Sequence, residues 1–273
     1  MLRSLVLPLL LIFPAALMAQ APQRIVSMNV CTDQLLLQLV DRSRIASLSY
    51  LATNPAYSAF ADQVQGIALN RGLAEEIILL KPDLVLTGPF SGTQAANLLT
   101  RQGYSVTRLG FVSTIDEALA QIDQLGELTL SRESAASLHT LLETGMQQSM
   151  ARLQPGLSGK AAVFLSNNGV VFGSNTLQDS FLHSLGLRNV AAEAGLVGPG
   201  LLSLENIVSA APDYIFSHPA STLDQQLAHP LLSHPVWQHL VTHNRRIAMH
   251  DSWFDCAGPQ LLNAYKTLEE VLL

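Results

Sequence analysis

Short apolar runs of strand length alternate with segments of helical periodicity in the first part of the chain. Helices are predicted after Thr32 or Asp33, either of which can cap the first one, and over residues 75–80 and 92–102. Strands are predicted over residues 24–28, 44–48, 83–87 and 105–109. Strands that alternate with helices are typical of a parallel sheet with helices on its faces.

The middle of the chain has a different pattern. From residue 115 to residue 153 apolar residues recur at helical spacing without an apolar run of strand length. We expect one long helical stretch, broken or kinked near Gly126 and ended by the Pro- and Gly-containing segment 155–159. If residues 132–153 form one continuous helix, it is about 33 Å long and can connect two lobes.

The second half repeats part of the first half 130 positions later. Glu75, Ile77, Pro82 and Asp83 recur as Glu205, Ile207, Pro212 and Asp213. The second half also begins with a predicted strand, over residues 161–166, followed by a helix headed by Asp179. Another strand, over residues 246–249, leads into a loop in which Pro259 suits the first turn of a closing helix. The chain is therefore interpreted as two α/β halves, residues 22–114 and 157–273, joined by a helical segment, residues 115–156.

The N-terminus has the features of an export signal. Arg3 precedes an apolar run over residues 5–17, and small residues follow at Ala19 and Ala21. This run is shorter than the ~20 apolar residues needed to cross a bilayer, although an uncleaved anchor is the alternative. We expect residues 1–21 to be a signal peptide and the mature protein to work in the periplasm.

Composition and motifs argue against several classes of function. The formal net charge of −6 is spread along the chain, so no basic surface for nucleic acid is expected. The sequence contains no G-x-S-x-G, H-E-x-x-H or G-x-x-x-x-G-K-[ST] motif. We therefore expect that the protein is not an enzyme.

Four segments together resemble the periplasmic binding proteins of ABC importers for cobalamin, ferric siderophores and haem. They are residues 24–27, 75–85, 204–213 and 251–259. The last one, Asp-Ser-Trp-Phe-Asp-Cys-Ala-Gly-Pro, is most similar to the cobalamin-binding branch. The resemblance implies two Rossmann-like α/β lobes with parallel sheets, joined by one long rigid helix and separated by a shallow ligand cleft. It also implies a monomeric binding protein that uses no cofactor. A free transition-metal-ion binding protein of related architecture and a ligand sensor without a transporter remain alternatives.

The same resemblance gives roles to Glu75 and Glu205. Family members carry one glutamate on each lobe, at the start of the helix before the Pro-Asp strand, and these glutamates dock onto arginines of the permease. Carboxylates at a helix N-terminus are favoured by the helix dipole and can attract a cationic partner. The plainer alternative is that both residues are solvated helix starts, and Glu76 adjoins Glu75.

Ligand-binding candidates are residues in loops that follow the predicted strands, since α/β proteins bind ligands at the carboxyl ends of strands. Aromatic side chains in these loops suit a large, partly apolar ligand such as a corrin or porphyrin. Tyr50 and Trp253 also match positions where the cobalamin-binding branch contacts its ligand. The candidates are Tyr50, Phe90, Trp253, Phe254, Asn29, Asn167 and His218, with Tyr57 and Phe111 also in these loops. Because the loops offer little positive charge beyond Arg71, cobalamin is favoured over an anionic ferric siderophore, with haem as a further alternative.

Histidines and cysteines raise the question of a metal. Six of the eight histidines lie between His218 and His250, but apart from His239 and His243 they lack compact helical spacing, so no free-ion site is expected. His218 or His250 could still reach the metal of a bound chelate. Cys31 and Cys256 can form a disulfide in an oxidising compartment; alternatively they are two cleft thiols that could bind a soft metal.

Overall fold

The computed structural model of the protein describes residues 20–166, 169–218, 235, 245–256 and 258–273. Its first sheet has five parallel strands in the order β3-β2-β1-β4-β5. The strands are β1 (Ile25–Ser27), β2 (Ile45–Ser49), β3 (Leu69–Asn70), β4 (Leu84–Thr87) and β5 (Val106–Arg108). Helices α1 (Val30–Leu39), α2 (Ala74–Leu79) and α3 (Thr93–Arg101) connect them. The predicted parallel α/β arrangement is confirmed for this half.

The helical segment forms a hairpin of two helices, α4 (Ile115–Thr129) and α5 (Arg132–Leu157). The predicted break of the helical stretch is confirmed, but the chain turns four residues after Gly126, at Leu130, which adopts a left-handed conformation with φ of 52°. Gly126 is buried inside α4, where an added Cβ would lie 2.3 Å from the Cβ of Ala135 on α5. This glycine therefore permits close packing of two helices.

Helix α5 ends inside the predicted terminating segment 155–159, four residues beyond residue 153. It continues through Pro155 to Leu157, whose side chain is buried in the core. Proline lacks a backbone N–H, so Pro155 costs the helix one hydrogen bond. Burial of the Leu157 side chain favours the additional helical turn despite this cost. Helix α5 packs against α1 of the first half and against the closing helix α9 (Leu261–Leu272) of the second half. One cluster of buried apolar side chains accordingly includes residues of both sheets and of α5.

The second sheet is mixed. Strands β6 (Ala161–Leu165), β8 (Arg188–Asn189), β10 (Tyr214–Ser217) and β11 (Arg245–Ala248) pair in parallel. Strands β7 (Val171–Phe172) and β9 (Pro199–Gly200) add antiparallel pairs next to β6. Helices α6 (Leu177–Ser184), α7 (Val190–Glu193) and α8 (Leu204–Ser209) complete this half together with α9. Two antiparallel strands of two residues each are the departure from the predicted parallel sheet.

The sequence repeat corresponds to a structural repeat. Helices α2 and α8, and strands β4 and β10, occupy matching positions 130 residues apart. The carboxylate of Asp83 accepts a hydrogen bond from the backbone N–H of Arg24 at 2.9 Å, and Asp213 accepts one from Ala161 at 2.8 Å. In each sheet the Pro-Asp motif therefore fixes the start of the neighbouring strand, which would otherwise leave a backbone donor unpaired.

Two predicted helix starts are wrong. Helix α1 is capped by Asn29, whose Oδ1 accepts from the backbone N–H of Cys31 at 2.9 Å, and not by Thr32 or Asp33. Helix α9 begins at Leu261, so Pro259 lies before its first turn. No helix among the described residues combines the length and the apolar character needed to cross a membrane.

Candidate functional site

A cavity of about 210 Å³ lies where the two halves of the molecule meet. The first half contributes the start of α1, the loop after β4 and the loop after β5, and the second half contributes the loop before α9. The lining residues are Asn29, Cys31, Thr32, Gly88, Pro89, Phe90, Leu109, Gly110, Phe111, Val112, Gln121, Phe254, Asp255 and Cys256. In the first sheet these loops follow the carboxyl ends of parallel strands, the edge at which α/β folds bind ligands.

A disulfide between Cys31 and Cys256 joins the two halves at the wall of this cavity, with the two Cα atoms 5.0 Å apart. The sequence left open whether these residues are paired or are free thiols. Among the described residues there is no free cysteine, so the alternative of two metal-binding thiols is wrong. The bond ties the first turn of α1 to the loop that leads into α9.

Three exposed aromatic side chains follow strands of the first sheet. Tyr50 comes directly after β2 and is 53% exposed, and Phe90 comes after β4 and is 85% exposed. Phe111 follows β5 and contacts Phe90 edge to face, with ring centroids 5.9 Å apart. Tyr57 is also about half exposed. Large rings left in water at one edge of a sheet are typical of a binding surface.

The two predicted aromatic residues of the second half differ in exposure. Trp253 ends the short 3₁₀ helix Asp251–Trp253, is half-buried, and its ring lies 4.9 Å from that of His250. Phe254 is buried and packs against Phe164 and Phe181, although it also touches the cavity. Phe254 therefore belongs to the core of the second half and offers the cavity only part of its surface.

The polar candidates are placed as follows. Asn29 caps α1 and its Nδ2 donates to the Oγ of Ser91 at 3.2 Å, so this side chain holds the loop after β4 against α1. His218 follows β10, and its ring lies 5.4 Å from that of His250. Burial lowers the pKa of His250, and the nearby His218 lowers it further. Asn167 lies outside the described residues.

Asp33 is a buried carboxyl that the sequence interpretation assigned to a helix cap. It accepts hydrogen bonds from the backbone N–H and the hydroxyl of Ser49, the residue before Tyr50. Burial raises the pKa of Asp33 to about 7, and hydrogen bonds from Ser27 and Ser49 act in the opposite direction. Asp33 stands in a helix and Ser49 at the end of strand β2. The helix pattern alone does not indicate a hydrogen-bond partner on a strand, so sequence reasoning could not find this contact.

Two further charged groups lie at the second half's edge of the site. Burial and the neighbouring Asp251 raise the pKa of Asp255 to about 6, while His218 acts to lower it. The guanidinium of Arg246 donates to the hydroxyl of Ser217 at 2.6 Å and to the backbone oxygen of His218 at 3.1 Å. Sequence reasoning missed Arg246 because this residue stands inside a strand, whereas ligand-binding residues were expected in loops.

Glu75 and Glu205 are both exposed in the first turns of α2 and α8. Both glutamates therefore lie at the helix starts where the sequence placed them. Glu76 differs, because its carboxylate accepts a hydrogen bond from the backbone N–H of Arg71 at 2.8 Å. Glu75 is therefore the more available of the two adjacent glutamates.

The described parts of the chain contain no group of three or more His, Cys, Asp or Glu side chains arranged to hold a metal ion. Of the histidines that suggested such a site, His218 and His250 are near each other. The remaining four of that region, His229, His234, His239 and His243, lie outside the described residues.

The fold and the interlobe site are those of a binding protein, and comparison with known proteins gives the family. Residues 25–252 match the family described as periplasmic binding protein, and the chain belongs to it. The chain is 27% identical over 260 residues to the vitamin B12-binding protein of Photorhabdus laumondii, an alignment covering 91% of this chain and 87% of that protein. It is 24% identical over 196 residues to the cobalamin-binding protein of Halobacterium salinarum, covering 71% of this chain. The alignment spans only about half, 53%, of that relative's length.

Solved structures share the fold. A possible iron-binding (periplasmic solute-binding) protein from Staphylococcus epidermidis superposes with a TM-score of 0.77 at 18% identity, over 93% of this chain and 100% of that chain. The periplasmic heme-binding protein RhuT from Roseiflexus superposes with a TM-score of 0.70 at 20% identity, over 91% and 96% of the two chains. The predicted two-lobed architecture is therefore confirmed.

Proposed function

We propose that this protein is the periplasmic solute-binding component of an ABC importer and that it captures a metal chelate between its two lobes. Cobalamin or another corrinoid is the favoured ligand, and a ferric siderophore or haem comes next. The observation that carries the proposal is the cavity between the halves with exposed aromatic rings beside it. The similarity to vitamin B12- and cobalamin-binding proteins supports the choice of ligand.

The size of the cavity favours a ligand that rests partly outside it. Its volume of about 210 Å³ is below the ~300–1,000 Å³ of pockets that enclose drug-sized ligands. A corrin or porphyrin would therefore bury one edge in the cavity and lay its faces against the exposed rings of Tyr50 and Phe90. Trp253 would contact the ligand from the second lobe. Flat apolar contacts of this kind bind by buried area and need few charges.

The charges near the site favour a ligand that is neutral or weakly charged. Arg246 already donates to Ser217 and His218, and the neighbouring carboxyl groups of Asp251 and Asp255 add negative charge in the loop before α9. A strongly anionic chelate would be recognised better by several convergent arginines or lysines. This balance supports cobalamin over catecholate siderophores.

Delivery to the membrane would use the two exposed carboxylates. Glu75 and Glu205 lie on different lobes at matching positions of the repeat, so together they can pair with cations on two similar subunits of a permease. In this proposal residues 1–21 are removed as a signal peptide and the mature protein acts as a monomer. The ligand is cargo and not a cofactor.

Uptake measurements test the delivery step. A Glu75→Ala, Glu205→Ala double variant should bind its ligand as the wild type does but fail to support uptake in a strain that lacks the native protein. The control is Glu133→Ala, which removes an exposed first-turn glutamate from α5. Unchanged uptake by the double variant would refute docking and favour a sensor without a transporter.

Native mass spectrometry tests the ligand class. The purified protein is mixed in turn with cobalamin, ferric siderophores and haem, and one of them should give a 1:1 complex. If Zn²⁺ or Mn²⁺ binds and none of the chelates does, the protein is a free-ion binder and the proposal is wrong.

A further inference from the structure

The Cys31–Cys256 disulfide crosses between the lobes at the proposed ligand site. Cys31 is in the first turn of α1, which follows β1, the central strand of the first sheet. Tyr50 follows β2 on one side of β1, and Phe90 follows β4 on the other side. Both cysteines line the interlobe cavity. The bond therefore lies between the two strand ends that carry the exposed aromatic rings.

Cys31 is held firmly on the first lobe. Its backbone N–H donates to the Oδ1 of Asn29 at 2.9 Å, and the hydroxyl of Thr32 donates to the backbone oxygen of Asn29 at 2.8 Å. The Nδ2 of Asn29 also donates to the hydroxyl of Ser91 in the loop after β4. An added Cβ on Gly88 would lie 2.6 Å from that Nδ2, so this loop packs directly against the turn. A displacement of Cys31 would therefore move the first lobe's wall of the cavity.

Cys256 is held equally firmly on the second lobe. It is buried, and its backbone oxygen accepts a hydrogen bond from the Nε2 of the buried Gln260 at 2.7 Å. Two positions earlier, Phe254 packs against Phe164 and Phe181 in the core. The bond therefore joins two fixed points, one on each lobe, and transmits the position of one lobe to the other.

The disulfide is a second connection between elements that α5 already joins. Helix α5 packs against both α1 and α9, and the bond links the first turn of α1 to the loop before α9. A rotation of the lobes that opened the cleft would have to separate Cys31 from Cys256. Their Cα atoms are 5.0 Å apart, and a disulfide limits this distance to about 7 Å. The cleft can therefore open very little at this point while the bond is intact.

We propose that the Cys31–Cys256 disulfide is a strap that fixes the separation of the two ligand-binding faces, so that the cleft is arranged for its ligand before the ligand arrives. The consequence for affinity rests on the proposed function, whereas the consequence for lobe separation does not. A preformed cleft avoids the cost of ordering the two lobes on binding. A cleft that is correctly arranged for only part of the time binds more weakly in proportion to that fraction.

The test compares the wild type with a Cys31→Ser, Cys256→Ser double variant. Serine replaces cysteine because free thiols could bind the metal of a chelate. Double electron–electron resonance measures the interlobe distance between spin labels on Thr100→Cys in the first lobe and Ala194→Cys in the second, at two exposed positions. Affinity for cobalamin is measured by visible absorption, at a temperature at which every variant is shown to be folded.

The matched control is Ile207→Ala. Ile207 is buried in a separate cluster of apolar residues of the second half and does not line the cavity. Its truncation lowers the midpoint of thermal unfolding without a change at the cleft. It therefore separates the effect of lower stability from the effect of losing the strap.

The distance distribution should broaden in the double serine variant, and its dissociation constant for cobalamin should rise by about tenfold. Ile207→Ala should keep the distance distribution of the wild type and bind cobalamin within about twofold of it. A disulfide that only stabilised the fold would leave the affinity of the folded double variant unchanged.

A second measurement serves if the double variant does not fold. The wild type is reduced, and its two thiols are linked again with dibromo-para-xylene. Each thiol loses its proton and displaces one bromide, so that both sulfurs become thioethers on a longer bridge. Because the loop stays closed, the unfolding midpoint should remain near that of the wild type. The longer bridge should nevertheless broaden the distance distribution and weaken cobalamin binding by about tenfold.

Two outcomes would overturn the inference. If the distance distributions of the double variant and the re-linked protein equal that of the wild type, the bond does not hold the lobes. If the distributions broaden but cobalamin binds as tightly as before, the cleft needs no prior arrangement, and the proposed function stands. A wild type that binds no cobalamin, together with broadened distributions in the other two proteins, would support the strap and refute the proposed ligand.

Discussion

Lys81 and Ala211, which lie 130 positions apart, share a left-handed backbone conformation with φ of 47° and 45°. Each lies two positions after the last residue of a short helix, α2 or α8, and precedes the buried proline of a Pro-Asp motif. The same unfavourable turn, which usually selects glycine, is therefore built twice with other residues. At this turn the two halves share the backbone conformation although the residues differ.

Ala211→Gly should stabilise the protein. The left-handed conformation costs a non-glycine residue ~1–2 kcal/mol, and glycine's extra freedom in the unfolded chain cancels ~0.5–1 kcal/mol of that gain. We expect a net increase of about 0.5–1 kcal/mol in the free energy of unfolding, measured by urea denaturation. The control is the adjacent Ala210→Gly, in a right-handed conformation, which should destabilise by a similar amount. If Ala211→Gly and Ala210→Gly changed the free energy of unfolding equally, the backbone strain assigned to Ala211 would be contradicted.

Gly126→Ala and Gly156→Ala should have opposite effects although both glycines lie in long helices. A methyl group at Gly126 would overlap the Cβ of Ala135, so α4 and α5 would have to separate, at a cost of about 1–3 kcal/mol. Gly156 is exposed with open space around it, and alanine there should stabilise by about 0.5–1 kcal/mol. Thermal unfolding of both variants checks this, and a stabilised Gly126→Ala would mean that the helix pair is not closely packed there.

The sequence predicted those parts of the fold that have a strong local pattern. Four of the five strands of the first sheet were predicted, and Leu84–Thr87 shows why, since it is an apolar run whose four residues are all buried. The two-residue strand β3 was missed. The repeat identified the matching elements of the second half. Strands β7 and β9 have two residues each, which is too short for any periodic signal.

The errors arise where tertiary packing decides. Gly126 has the residue type of a helix breaker, but it serves a contact between helices that only the folded chain reveals. Asn29, Thr32 and Asp33 are all good capping residues, and the sequence could not tell which one the fold uses as a cap. For the site, the strand-end rule placed Tyr50 and Phe90 after strands of the first sheet, where the structure has them, but it could not predict the burial of Phe254.

Asp33 should make stability depend on pH. Its pKa rises from about 3.8 in the unfolded chain to about 7 in the folded protein because burial disfavours the charged form. The folded state therefore binds the proton more tightly. Asp33's contribution to stability is fully present below pH ~4 and is lost at ~1.4 kcal/mol per pH unit as pH rises towards 7. Asp33→Asn should remove this slope.

The measurement for Asp33 is urea denaturation of the wild type and of Asp33→Asn at several pH values between 4 and 7. The difference in free energy of unfolding between the two proteins should shift in favour of the variant as pH rises. The variant also loses an acceptor for Ser49, but this contribution is the same at every pH. Parallel stability curves would show that Asp33 keeps an ordinary pKa.

Reduction of the Cys31–Cys256 disulfide should destabilise the protein strongly. The bond joins residues 225 positions apart, and the chain-entropy relation gives ~5 kcal/mol for a loop of this length. The midpoint of urea denaturation should therefore fall when dithiothreitol is added. A Cys31→Ser, Cys256→Ser double variant serves as the control, because the reductant should not change its midpoint. An unchanged midpoint of the wild type in reductant would contradict the bond.

The central claim, that a metal chelate binds between the lobes, is tested most directly by titrating the protein with cobalamin and following visible absorption and tryptophan fluorescence. We predict saturable 1:1 binding that is about 10- to 100-fold weaker in Tyr50→Ala and in Trp253→Ala, as expected for aromatic contact residues. Leu141→Ala, on the exposed side of α5, should bind as the wild type does. Absence of binding to cobalamin, haem and ferric siderophores alike would contradict the account.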